Sequence, residues 1–262
     1  MTGRTVLTVA ALTVQESARR RVLRALVVMT LLLLGLSAFG FSRIDTEFSG
    51  LTSGQSRLVA SFVLNLVMFG LSLIAALGTA FLAGPTVAGE IESGMALSVL
   101  ARPVHRSAIL VGKWLGLVVF GSGFVVMAGL AHFAVVWATV GYTPPDPVVG
   151  LGLLAAQTAT LLTLGLLLST VISPMASGIV AVGLFGATWI AGIVGTIGEL
   201  LGNDGVARVG TVSRMLLPTD GLWQGAMHAF QDPSALGAIY DRYAGLVYGL
   251  ALSALRNQQE AE

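Results

Sequence analysis

Residues 58–83 read LVASFVLNLVMFGLSLIAALGTAFLA, twenty-six residues without a charge. At a rise of about 1.5 Å per residue, a helix of this run is ~39 Å long and exceeds the ~30 Å hydrocarbon core of a bilayer. The stretches 25–41, 114–140, 148–172 and 178–198 read the same way. A sixth is expected at 239–256. Its clean apolar run is only Gly245–Leu255, and it carries Asp241 and Arg242 towards an interface that Tyr240, Tyr243 and Tyr248 would line. Over all 262 residues, 55% are hydrophobic and 10% charged, with a mean hydropathy of +0.86. Soluble domains carry roughly 25% charge, and one core of this size cannot hide so much apolar surface from water. The expectation is an all-α, polytopic transmembrane bundle of six spans in a single domain, 1–262.

The basic residues orient it. Arg4, Arg19, Arg20, Arg21 and Arg24 precede the first span, and Arg102, Arg106 and Lys113 lie between the second and third. Asp45, Glu47, Asp146, Glu199, Asp204, Asp220, Asp232 and Asp241 gather on the other side. By the positive-inside bias both termini face the cytoplasm of a cell (cytoplasmic) membrane, which requires an even number of spans. The apolar run starts only at residue 25, unlike a cleaved signal. Within the lead, 4–20, Val6, Leu7, Val9, Ala10 and Val14 can share one side of an amphipathic surface helix; a disordered basic leader is the alternative.

The segment 85–113 is the most informative loop. Pro85 is expected to bend or end the second span. Val87, Ile91 and Met95 recur every four residues, with Glu90 and Glu92 off that stripe, close to a helix start where the macrodipole favours carboxylates. Arg102-Pro103 ends the segment, and Ser107 is placed to cap the third span. This describes a short helix between two membrane helices, suited to receive a push from a soluble partner. An amphipathic loop resting on headgroups is equally compatible with these residues.

Gly-Glu90-Ile-Glu92-Ser-Gly94 followed by Leu100-Ala-Arg102-Pro-Val-His105-Arg106-Ser107, together with Leu217-Pro-Thr-Asp-Gly-Leu-Trp223, resembles type-2 ATP-binding-cassette (ABC) export permeases. The span plan resembles them over nearly the whole chain, with Met95 and His105 standing where threonine and serine are common. The resemblance implies a coupling helix docked on an ATP-binding-cassette ATPase subunit, with Glu90, Glu92, Gly94, Arg102 and Arg106 in partner coupling. It further implies a second permease copy and short outer helices that close the exit.

No Gly-x-x-x-x-Gly-Lys-[Ser/Thr] loop occurs, so ATP would be bound and hydrolysed on a separate chain, with no cofactor on this one. His-Glu-x-x-His and Gly-x-Ser-x-Gly are missing, which argues for a non-catalytic subunit. His105, His132 and His228 are scattered, cysteine is absent, and a net charge of +1 gives no field for nucleic acid. Asn65, His132 and Gln157 fall inside spans and are expected in one layer ~10–14 Å below the outer surface. They are candidates for the translocation path or for interhelical hydrogen bonds. No carboxylate is expected mid-span. Gly112/Gly116, Gly198/Gly202, Gly186, Gly192 and Gly195 permit close helix approach. The outer loop, 199–238, is expected to hold a helix that dips into the interface, capped by Asp220. The competing function is an ATPase-independent channel or scaffold.

Overall fold

The computed structural model describes residues 2–47, 53–94 and 105–231. Among these are eight helices and no strand: α1 (Thr2–Arg19), α2 (Arg21–Glu47), α3 (Ser53–Glu92), α4 (Arg106–Val140), α5 (Pro147–Leu168), α6 (Pro174–Leu200), α7 (Asp204–Leu216) and α8 (Thr219–Phe230). Five of them, α2 to α6, are long and apolar enough to cross a membrane. The expected sixth span, 239–256, lies outside the described residues, as do 232–238 of the outer loop.

Antiparallel and parallel neighbours are held in register by close contacts. Gly78 and Gly70 of α3 face Leu26 and Leu33 of α2. Gly121 of α4 faces Leu162 and Thr158 of α5, and Gly165 of α5 faces Ala83 of α3. Gly84 of α3 lies under the carbonyl of Pro174 at the start of α6. The end of the bundle where α2 begins, with Arg21 and Arg24, is called basal below; the opposite end is distal. The main core cluster lies in the distal half, with Phe41, Leu64, Met68, Leu71, Val136, Leu154 and Phe230 fully or almost fully enclosed. The outward faces of α2, α4 and α6 are apolar and exposed, as lipid as solvent requires.

Two expectations change at the basal end. Pro85 neither ends nor separates the second span: α3 runs through it to Glu92. A proline inside a helix forfeits one backbone hydrogen bond and crowds the preceding turn. Here α3 is anchored on both sides of the proline, by α6 at Gly84 and by Lys113 at Thr86 and Glu90. The third span starts two residues earlier than expected, with His105 rather than Ser107 in the capping position and no side-chain cap. Gly84 lies level with Pro174, so the seven or eight residues of α3 beyond it project ~10 Å past the plane in which α6 begins. The first two turns of α4, Arg106 to Lys113, project alongside them. Against this stalk lies α1, running in the same direction as α4. Gly112 abuts Val6 and Val9, and Gly116 abuts Ala10 and Thr13. Leu7 is therefore not on the packed side; it is 64% exposed.

At the distal end the loop after α6 re-enters the bundle. Asn203 caps α7, its side chain accepting from the backbone nitrogens of Gly205 and Val206. From there α7 runs back along α6, backbone against backbone at Gly195–Gly210 and Gly198–Ala207. At Leu217-Pro218 the chain reverses, and α8 returns along α5, its Phe230 seated on Gly150. Tyr142 closes the distal end by donating to the Phe230 carbonyl (2.7 Å).

Candidate functional site

The basal end holds four of the five expected coupling residues. Glu90 and Glu92 belong to the last turn of α3, not to a helix start, so the macrodipole opposes both carboxylates. Glu90 is answered from within the chain: the Lys113 ammonium pairs with its carboxylate and donates to the Thr86 carbonyl at 2.9 Å. Side chains tilt towards the N-terminus of their own helix. In this antiparallel pair the tilt aims Lys113 basally and Glu90 distally, towards one another. Glu92 is exposed and has no ion-pair partner among the described residues. Gly94 closes the turn with φ +74°, left-handed backbone that favours glycine, and its N–H donates to the Ile91 carbonyl. Arg106 is exposed at the start of α4. Arg102 lies outside the described residues.

The second gathering of polar groups surrounds the tip of the α7–α8 hairpin. Gln157, ten residues along α5, is fully paired: its oxygen accepts from Ser72 Oγ (2.9 Å) and its Nε2 donates to the Thr219 carbonyl (3.1 Å). The Thr219 hydroxyl meets that of Thr188 on α6 at 2.9 Å. Next to it Asp220, 4% exposed, accepts from Arg214 Nε and from Gln224 Nε2, each at 3.0 Å. Gly192 makes room for this carboxylate, which a Cβ there would strike. The tip thus sits ~15 Å along α5 from its distal start, about half the depth of a bilayer core. Asp220 lies within the first turn of α8, where the dipole favours it; Pro218 holds the capping position. None of the five long apolar helices carries a carboxylate in its middle, as expected; Asp220 reaches that depth of the bundle on the short helix α8, which the sequence reading placed at the interface.

Asn65 and His132 occupy a different layer from Gln157. The Ser72–Gln157 bond places Asn65 level with Gly150, and Gly129 against Leu151 places His132 close to that level. Gln157 is seven residues, ~10 Å, deeper. His132 is fully enclosed, its Nδ1 2.8 Å from the Ala128 carbonyl; its Nε2 and Asn65 Oδ1 have no hydrogen-bond partner among the described residues. Between α3 and α6 near the base lies an apolar cleft of about 470 Å³, lined by Leu77, Phe81, Met175, Ile179 and Val182 among others, with no charged residue.

The residues missed from sequence are Lys113, Ser72, Thr188, Thr219 and the Arg214–Asp220 pair. Lys113 carried one usable signal. It is the only lysine in the chain, against thirteen arginines. No family model matches the chain, and no curated protein matches it.

Proposed function

We propose that this helical bundle is the membrane-spanning permease subunit of an ATP-driven exporter of the type-2 ABC kind. It would work in the cytoplasmic membrane as a dimer with a second permease copy, each copy coupled to an ATPase subunit. In this reading the basal end is cytoplasmic, both termini lie there, and residues 239–256 supply the sixth span. The observation that carries it is the stalk. Two spanning helices overshoot the bundle by ~10 Å and are tied to each other by an ion pair, with α1 packed along their flank. Beyond them stands Glu92, a carboxylate that the helix dipole disfavours and no described residue neutralises. Such an element gives a soluble partner a stiff handle and a charge to grip. At the other end α8 packs against the distal halves of α5 and α6, as a closed exit would, with α7 lying along α6. The uncharged cleft between α3 and α6 fits an amphiphile better than an ion.

Affinity purification in mild detergent tests the reading. An ATP-binding-cassette subunit should co-isolate, and Glu92→Lys should release it while leaving the chain in the membrane at normal abundance. Isolation of a lone oligomer that conducts ions would replace the permease with a channel. Labelling of residues 90–106 only from the side opposite the cytoplasm would remove the coupling role.

A further inference from the structure

We infer that Lys113 is a positioning residue, whose pairing with Glu90 makes the projecting ends of α3 and α4 one rigid lever, and that Glu90 therefore acts inside the chain while Glu92 alone is presented to a partner. The use of the lever rests on the permease reading; the clamp does not. Lys113 is 8% exposed, the most buried cation among the described residues. An ammonium so enclosed is costly unless it is paired and hydrogen-bonded, and it is both, at the Glu90 carboxylate and the Thr86 carbonyl. The choice of side chain is informative. A compact ammonium can serve a carboxylate and a carbonyl on one helix face at once, whereas a guanidinium is a wide planar fork. The chain uses arginine everywhere else.

The clamp also answers a local problem of α3. Past Pro85 the helix runs on beyond the level at which α6 begins, and its last turn holds two carboxylates against an unfavourable dipole. Lys113 neutralises one and pins the helix at two points one turn apart. On the other flank, Gly112 lets α1 approach the same turn of α4, so the lever root is enclosed from both sides.

The experiment uses two features of the full chain, the absence of cysteine and the single lysine. Ser93→Cys, at an exposed site just beyond the last turn of α3, takes a spin label in detergent-solubilised protein. With Lys113 and Glu90 intact the spectrum should show an immobilised component. Lys113→Met, which keeps the apolar stem, and Glu90→Gln should each abolish that component. The exchange Glu90→Lys with Lys113→Glu should restore it, since a cation at position 90 also suits the dipole at the end of α3. In parallel, Glu90→Gln should raise the rate at which an amine-reactive reagent modifies Lys113 roughly tenfold or more, the ratio set by loss of one charge-assisted hydrogen bond. Unchanged spectra in both single variants, or failure of the exchange to restore, would overturn the clamp. The functional arm measures ATP hydrolysis in the co-isolated complex. Lys113→Met should lower coupled turnover with the ATPase still bound, and the exchange should recover it. If no ATPase co-isolates with the unmodified chain, the permease reading fails and the spectra still decide the clamp.

Discussion

Gly195→Ala tests whether the α7–α8 hairpin is seated as described. A Cβ at Gly195 would lie 2.7 Å from Gly210 Cα and 3.0 Å from Gly210 N, and one at Gly210 would lie 2.9 Å from Gly195 Cα. Both obstacles are backbone, so no side chain can swing away. Carbon atoms rest at ~3.5–4 Å, and α7 must therefore retreat by about 1 Å. That retreat strains the bonds at the tip, Gln157 to the Thr219 carbonyl and Thr188 to the Thr219 hydroxyl. Overpacking of this kind costs ~1–3 kcal/mol. At a mid-range ~2 kcal/mol, a chain of this size loses about 4–8 °C in its apparent melting midpoint. The control is Gly183→Ala on the same helix, where an added Cβ meets nothing within 4 Å and the substitution gains helix propensity, up to ~1 kcal/mol. Melting both variants in one detergent, followed by circular dichroism, makes the comparison. Equal midpoints for the two would refute the close backbone approach of α6 and α7.

The Arg214–Asp220 pair should respond unequally to removal of its members. Arg214→Met leaves a nearly inaccessible carboxylate without its cation and should cost ~3–5 kcal/mol, whereas the Arg214 side chain, 30% exposed, rehydrates when Asp220→Asn is made and the loss should be smaller. A double-mutant cycle on melting midpoints checks both. Gln157→Leu strands the Ser72 hydroxyl and removes the bond to the Thr219 carbonyl, and a group left unpaired costs ~1–3 kcal/mol; the same melts should show it less stable than Asn65→Leu, whose oxygen has no partner among the described residues. Tyr142→Phe removes one hydrogen bond to Phe230 and should cost ~1 kcal/mol.

The spans were legible because a bilayer imposes length and apolarity on a continuous run, and α2 to α6 satisfy both. Lead helix α1 was legible as a helix, and Val6, Val9 and Ala10 of its expected side do pack on α4; Leu7 points away, and Thr13 and Ser17, which are polar, point in. Burial there follows the glycines of α4, a signal that belongs to a different segment. Pro85 misled because the cost of an internal proline is local and is offset by contacts with residues 113 and 174, far along the chain. The hairpin was hidden for a related reason. Its limbs are thirteen and twelve residues long, too short to span, and Arg208 and Arg214 lower the apolarity of α7. Arg214 and Asp220 are six apart across a proline break, a spacing that no helical rule pairs. The layer of Gln157 was misjudged because α3 and α5 begin at different heights, which only the Ser72–Gln157 bond reveals.

The re-entrant hairpin also constrains how the protein is made. Neither limb is long enough to cross a bilayer by itself, at thirteen and twelve residues, and the Arg214–Asp220 pair lies at the turn. The slot that α8 fills is made by α5 and α6, so α8 can dock only after those two segments are in place. Damage to the slot, as at Gly192 or Gly150, should then accumulate a species with every long segment integrated and residues 204–230 still open to protease.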